Sequence, residues 1–307
     1  MTASIIIPTY NGANKICNIL HSLEKQSVVP DEIIVVVDGS TDNTAMVLSN
    51  TIFLLPQLKI IEQENKGRAA VRNRGAQEAN SDILIFLDDD MIAHSNLVDE
   101  HINFHKTYIE AVAVGVLIPT TTTPDTDYGK YRVWLNDQWN KQLNTQTEIE
   151  LLSYPYICAA NFSITKKLFI DIGGFDERLN DAEDYDLAVR LKKDKTKIYL
   201  NKKCVVVNND TDAILNCSNT IKRQRQYRYY HQKLVELKPE IHKGGVREVV
   251  LPNPIKTFIY KTFFCNKWMI EAVNKELLLF LPKTIRYKIY DAVITANGVL
   301  FPEIVEL

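Results

Sequence analysis

Over the first ninety positions, apolar residues fall in short continuous runs separated by polar stretches with helical spacing. The runs at residues 4–8, 32–38, 59–63 and 82–87 read as strands, and the unbroken apolar Ile83-Leu84-Ile85-Phe86-Leu87 of the last has the continuity of a parallel strand covered on both faces. Between the first two, Ile16, Ile19, Leu20 and Leu23 recur at helical spacing, and residues 68–79 predict another helix before the fourth run. Strands alternating with helices predict βαβ units around a mostly parallel sheet, an α/β fold. Right-handed crossovers then gather the carboxyl ends of the strands on one rim, where open α/β sheets bind ligands. Three polar turns meet there: Thr9-Tyr10-Asn11, Asp38-Gly39-Ser40 and Asp88-Asp89-Asp90.

Residues 120–156 change character, being rich in Thr, Asn and Gln with Tyr128, Tyr131, Trp134 and Trp139 interspersed, and read as an excursion over the cleft. Sheet-like and helical patterns resume at 157–165 and 181–192, followed by two strand candidates at 197–200 and 204–207. From about residue 216 the pattern is helical to the C-terminus, interrupted by a Pro-containing bridge at 251–254. The 307 residues, 46% hydrophobic, are those of an ordinary globule, and the net charge of −2 gives no reason to expect a nucleic-acid partner. Five scattered cysteines without a Cys-x-x-Cys pair argue against a disulfide framework or zinc knuckle and suit a reducing cytosol. The chain enters its first strand without a basic, apolar leader, so no secretory signal is expected, and no stretch reaches the roughly 18 apolar residues of a membrane span.

The acidic run Asp88-Asp89-Asp90 directly follows the apolar Ile83-Leu84-Ile85-Phe86-Leu87. Clustered carboxylates at a strand end either hold a divalent cation against phosphate oxygens or form a solvated turn. Around it lie further short motifs: Ile7-Pro8-Thr9-Tyr10-Asn11, Val37-Asp38-Gly39-Ser40-Thr41-Asp42, Asn65-Lys66-Gly67 through Arg72-Asn73, Ile172-Gly173-Gly174-Phe175-Asp176-Glu177 and Glu183-Asp184-Tyr185-Asp186-Leu187. In this order and spacing they resemble the family 2 glycosyltransferases, over roughly residues 1–208.

The resemblance implies the GT-A fold, a Rossmann-like sheet flanked by helices, with residues 1–215 as the transferase domain and 216–307 as a helical appendage. Within the domain, 1–95 would be the nucleotide-binding half and 96–215 the acceptor-binding half. It also implies inverting, non-processive transfer from a nucleotide sugar, a UDP-sugar, to a glycan or lipid-linked acceptor, as in bacterial surface polysaccharide synthesis. Pro8, Thr9, Tyr10 and Asn11 would line the nucleoside pocket, and Asp38 would accept a pyrimidine N–H or simply cap its turn. Lys66, Gly67 and Arg68 would lie near the base, while Arg72 would serve the pocket or pair with an acidic neighbour. Asp90 and Asp88 would hold Mn²⁺ or Mg²⁺ on the donor diphosphate, with Asp88 and Asp89 also near the ribose. Asp184, assisted by Glu183, would be the general base, although acids at that place also suit the first turn of a helix. Asp176 would orient the acceptor, and Trp134 and Trp139 would stack on its sugar rings or anchor a loop.

The chain departs from the family in two places. Many members complete the metal shell with a histidine where this chain has Asn208-Asn209-Asp210, which keeps open a reading as a catalytically impaired nucleotide-sugar-binding partner or scaffold. Processive members carry a Gln/Arg-x-x-Arg-Trp motif, matched only in part by Arg225-Gln226-Tyr227-Arg228-Tyr229; Arg228 would touch the diphosphate or lie on a solvated basic face. Finally, Lys256, Tyr260, Lys261, Phe263, Phe264, Lys267 and Trp268 would either pack on their own domain or lay a basic aromatic face on the inner leaflet of the cell membrane.

Overall fold

The computed structural model describes residues 1–55, 57–118, 124–142, 147–209, 216–242 and 250–306, apart from some side chains near the end of one helix. The chain divides into two compact units, Met1–Thr120 with Gln146–Asp210, and Thr121–Thr145 with Thr211–Leu307.

The first unit is a mixed sheet in the order β3-β2-β1-β4-β8-β6-β9-β5, with β7 also paired to β9. The four apolar runs are strands β1 (Ala3–Thr9), β2 (Glu32–Asp38), β3 (Leu58–Gln63) and β4 (Ile83–Leu87), all parallel. The helices between them are α1 (Ile16–Leu23), α2 (Thr44–Asn50) and α3 (Arg68–Glu78). Successive strand residues face opposite layers: Ile5, Ile7, Val35 and Ile85 join the core under α1, while Ile6, Ile34, Val36 and Phe86 join the core under α3. Burial on both faces explains why β1, β2 and β4 read as near-continuous apolar runs, whereas β3, at the edge of the sheet, leaves Lys59, Ile60 and Glu62 exposed.

Beyond β4 come β5 (Met91–Ala93), α4 (Leu97–Thr107), β6 (Ala111–Ile118), β7 (Ile149–Leu151), β8 (Asn161–Thr165), α6 (Lys166–Asp171), α7 (Glu183–Lys193) and β9 (Lys197–Asn208). In the second unit, α5 (Asp127–Gln142) falls between β6 and β7 in the chain. β8 runs antiparallel between β4 and β6, and β9 is parallel to β6. The two strand candidates at 197–200 and 204–207 are one strand. Its polar centre lies where β9 changes neighbours, pairing with β7 at Tyr199–Asn201 and with β5 at Val206–Asn208.

β6 carries a register shift between Val114 and Val116. The buried Asn161 fills the gap: its Nδ2 donates to the carbonyls of Cys204 (2.9 Å) and Val116 (3.2 Å). A Cβ at residue 115 would collide with both Asn161 and the Cys204 carbonyl, so the site requires Gly115. A buried chain of hydrogen bonds continues from Asn161 Oδ1 to His101 Nε2 (3.1 Å), His101 Nδ1 to Ser163 Oγ (2.8 Å) and Ser163 Oγ to His105 Nε2 (2.9 Å). Burial lowers the pKa of His101 to about 4 and that of His105 to about 3, so both rings are neutral.

The second unit is helical. It comprises α5, α8 (Cys217–Leu237), α9 (Pro239–His242), α10 (Pro254–Ile259) running on into a π-helical turn at Tyr260–Phe264, α11 (Lys267–Asn274) and α12 (Lys283–Ile294), with a second π-helical turn at Thr295–Leu300. Helix α5 lies in the stretch read from sequence as an excursion over the cleft, but it packs with these helices. Tyr128 and Tyr131 are buried against Tyr287 and Tyr290, and Asp127 accepts from Arg286 (2.7 and 2.8 Å) and the Tyr290 hydroxyl (2.8 Å). All five cysteines are free thiols.

Candidate active site

The turns that end β1, β2 and β4 are tied together by side chains. Asn11, at φ +52°, accepts the Thr41 N–H on its side-chain oxygen (2.8 Å) and donates its own N–H to Ser40 Oγ (3.0 Å). The buried Thr9 hydroxyl donates to Asp89 Oδ2 (2.5 Å). Pro8 lies within β1, paired with Val36, and Tyr10 is exposed beyond the strand end.

Asp38 is buried at the end of β2, and its carboxylate organises the loop after β3. Oδ1 accepts from the Lys66 N–H (2.9 Å) and from Gln63 Nε2 (2.7 Å), and Oδ2 accepts from the Gly67 N–H (2.9 Å). A carboxylate offers about four lone-pair sites, so these three donors leave room on Oδ2 for one more. Gly67 has φ +87°, and a Cβ there would sit 2.8 Å from Asn180 Oδ1; only glycine lets this loop meet the one before α7. The side chains of Lys66 and Arg68 are exposed, with Arg68 Nη1 3.8 Å from Asp181.

Arg72 is the centre of the site. Buried on α3, it donates from Nη2 to Asp88 Oδ1 (2.6 Å) and from Nη1 to Glu183 Oε1 (2.9 Å), and its guanidinium stands 5.9 Å from the Phe175 ring centre. Burial alone would favour the neutral form, but the carboxylates of Asp88 and Glu183 outweigh it and raise the pKa, so the cation persists. Glu183 is likewise buried, which makes this a desolvated ion pair with a second carboxylate at its solvent side.

Ala182 precedes Glu183 in the left-handed region, at φ +61°, and is buried. This uncommon conformation for a non-glycine residue turns the chain so that Glu183 and Asp184 open α7 beside Arg72. Asp184 is part-buried, and its pKa is raised to about 6, first by burial and then by the charge of Glu183, against the N–H groups of Tyr185 and Ala159 and the charge of Arg72. Such a carboxylate is mostly ionised at neutral pH and still basic enough to take a proton.

Sequence reading missed the clasps around the cluster. Asn73 exchanges hydrogen bonds with the Phe175 main chain (2.9 Å each way) and reaches Glu177 (2.9 Å), while Arg190 donates to the carbonyls of Ile172 (2.7 Å) and Gly174 (2.6 Å). Together they fix the Gly-Gly-Phe-Asp turn. Asp176, expected to orient an acceptor, makes a bidentate pair with Arg178 (2.6 and 2.9 Å). Sequence reading also passed over Tyr154 and Tyr156, whose half-exposed rings lie 6.3 Å apart. The Tyr156 hydroxyl has its pKa raised, first by burial and then by Cys158 and Asp184. Neither position carries a motif; the signal was only two aromatics two residues apart.

The cluster is made by the first unit. Arg228 lies on α8 and Trp134 on α5, both in the second unit, where Trp134 packs against the rings of Tyr131 and Tyr287. The side chain of Trp139 lies outside the described residues.

No cluster of three or more His, Cys, Asp or Glu with metal-holding geometry occurs among the described residues. The Asn209 N–H donates to the Asp90 carbonyl (2.7 Å) and Asn208 pairs with Met91, so the place where a histidine was expected does adjoin the acidic triplet. The donors of that neighbourhood are hard oxygens, the carboxylates of Asp90 and Asp88, with Oδ1 of Asp88 already held by Arg72. They fit Mg²⁺ or Mn²⁺ when substrate phosphates supply other ligands.

A model of the family described as Glycosyl transferase family 2 matches residues 4–172, which takes in the first three turns and stops short of Glu183. The uncharacterized glycosyltransferase YfnE of Bacillus subtilis is 26% identical over 268 residues, covering 71% of this chain and 67% of that protein. Chondroitin synthase of Pasteurella multocida is 26% identical over 215 residues, which are 69% of this chain and only 21% of that larger protein. Among solved structures, the mannosyltransferase PcManGT from Pyrobaculum calidifontis, in complex with GDP-Man and Mn²⁺, aligns with a TM-score of 0.63 at 17% identity. The alignment covers 98% of this chain and 87% of that one, a likeness of fold.

Proposed function

The chain belongs to glycosyl transferase family 2 and is related to polysaccharide synthases, and from that premise we propose that it is an inverting, non-processive transferase. The reaction moves a hexosyl or N-acetylhexosaminyl group from a UDP-sugar to a hydroxyl of a glycan or lipid-linked acceptor. The observation that carries this reading is the buried Arg72, which joins Asp88 of the acidic triplet to Glu183 beside Asp184. Two carboxylate centres far apart in sequence thereby become one site.

Asp38 accepts the uracil N–H on its remaining Oδ2 site, and the 9–11 turn lines the nucleoside pocket. Asp90, with Asp88 and Asn208 nearby, would hold a divalent cation, which would offset charge on the leaving diphosphate. Asp184 takes the proton from the attacking acceptor hydroxyl, and Glu183 keeps its basicity up by like-charge repulsion. The Tyr154–Tyr156 pair flanks the acceptor sugar. In support of the donor side, the fold neighbour PcManGT carries a nucleotide sugar and Mn²⁺.

Calorimetry with UDP and GDP, with and without Mn²⁺, followed by donor-consumption assays with a cell-derived acceptor pool, tests the reading. UDP should bind more tightly than GDP and more tightly with Mn²⁺, and Asp90→Ala should weaken that binding at least tenfold. Donor binding by the parent chain without turnover under any acceptor would favour the alternative, a nucleotide-sugar-binding partner without catalysis, for which Asn208-Asn209 in the region that usually offers histidine is the motivating feature. Absence of any nucleotide binding would sink both.

A further inference from the structure

The net charge of −2 conceals a segregation between the two units. The first unit carries 18 Lys and Arg against 26 Asp and Glu, whereas the second carries 18 against 12. Within the second unit, residues 250–268 contain three lysines and no acid. Here lies the continuous helical stretch formed by α10 and the π-helical turn after it, neither of which contains a buried residue.

That stretch is nevertheless apolar along one side. Ile255, Phe258, Ile259 and Phe263 follow the i, i+3, i+4, i+8 spacing of one helix face and are 74%, 65%, 39% and 51% exposed. The other side meets the protein, since Tyr260 and Phe264 pack against the core that contains Tyr287 and Tyr290. Lys256 and Lys261 flank the stripe, with their ammonium groups 5.4 Å from the Tyr260 ring centre and 4.9 Å from that of Phe301. Their aliphatic stems cover ring surface and their charges stay in water. In the same unit Trp268 and Phe280 are 57% and 81% exposed.

We propose that the 254–264 helical stretch is a membrane-surface anchor that inserts Ile255, Phe258, Ile259 and Phe263 into the headgroup boundary of a bilayer rich in anionic lipid. The charge complementarity of a lysine-flanked, acid-free stripe favours an anionic bilayer over a neutral protein partner. Among the described residues no helix is long and apolar enough to cross a membrane, so the contact lies on the surface plane. Vesicle binding requires neither donor nor acceptor, so the anchor stands or falls apart from the transfer reaction.

The test is co-sedimentation of the full chain with phosphatidylcholine vesicles, alone or with phosphatidylglycerol, at low and high salt. The parent should pellet with the phosphatidylglycerol vesicles and be released by high salt. Phe258→Asp with Phe263→Asp should lower partitioning at least tenfold. Lys256→Glu with Lys261→Glu should lower it further than the roughly 30-fold expected from losing about 1 kcal/mol at each lysine, because the charge is reversed. All four side chains are themselves exposed, so the thermal midpoint should stay near the parent's value. Equal pelleting of parent and both variants, or no pelleting of the parent, overturns the proposal. So does a parent dimer that the Asp variant converts to monomer without vesicle binding, which would make the stripe a contact between copies.

Discussion

Asp184 faces two opposed demands: burial and Glu183 raise its pKa to about 6, yet the proposed chemistry needs it ionised. The rate should therefore rise with pH through about 6 and level off above it. Asp184→Asn should lower kcat by about 10²–10⁴ with the donor KM little changed, and should abolish that limb of the profile. Stability should move the other way. A carboxyl whose folded pKa exceeds its unfolded value of 3.8 is stabilising when protonated, and that contribution is lost as pH rises through 6. The Asn variant should thus be more resistant to urea than the parent at pH 8, by about 1–3 kcal/mol, with the gap closing toward pH 4. An unchanged kcat would remove Asp184 from the base role whatever the stability result.

At the scale of elements, the β6 irregularity and the side chain that fills it set the course of β9, and so the place where Asn208 meets the acidic triplet. Asn161→Ala leaves the Val116 and Cys204 carbonyls and His101 Nε2 without their partner in a buried place. The expected cost is about 2–4 kcal/mol in urea denaturation, since each stranded polar group forfeits its full desolvation penalty. A loss below 0.5 kcal/mol would mean that water replaces the amide. None of this was readable from the chain, because Asn161 and Gly115 are joined by a pairing that exists only once β8 has inserted antiparallel between β4 and β6. β1, β2 and β4 are readable because burial on both faces makes their apolar runs continuous, whereas the edge strand β3 shows only a short apolar centre between polar residues. Arg72 was recognised as either a pocket residue or an ion-pair member, but its partners lie 16 and 111 residues away, beyond any local pattern. Tyr128 and Tyr131 show the same limit: the polar, aromatic stretch reads as an excursion over the cleft, and nothing local announces that its rings enter a core completed by Tyr287 and Tyr290 near the other end of the chain.

For the molecule as a whole, acid should be more damaging than the near-neutral net charge suggests. His101 and His105 have folded pKa values near 4 and 3 against 6.5 when unfolded, so their contribution is full above 6.5 and falls as pH drops. At pH 5 the two together cost about 4 kcal/mol relative to pH 8, against about 1 kcal/mol gained as Asp184 takes up protons. Unfolding followed by urea midpoint should therefore show a net loss of about 3 kcal/mol over that interval, and a flat profile would contradict the buried neutral histidines. The Arg72 bridge also has a bearing on recombination with relatives. A chimera that joins residues 1–95 of this chain to the later half of another family member inherits the guanidinium and Asp88 but must find an acid at the place of Glu183. Where it does not, the swap strands a buried cation with half its counter-charge, so exchangeable donor and acceptor modules in this lineage are limited by one ion pair that straddles the seam.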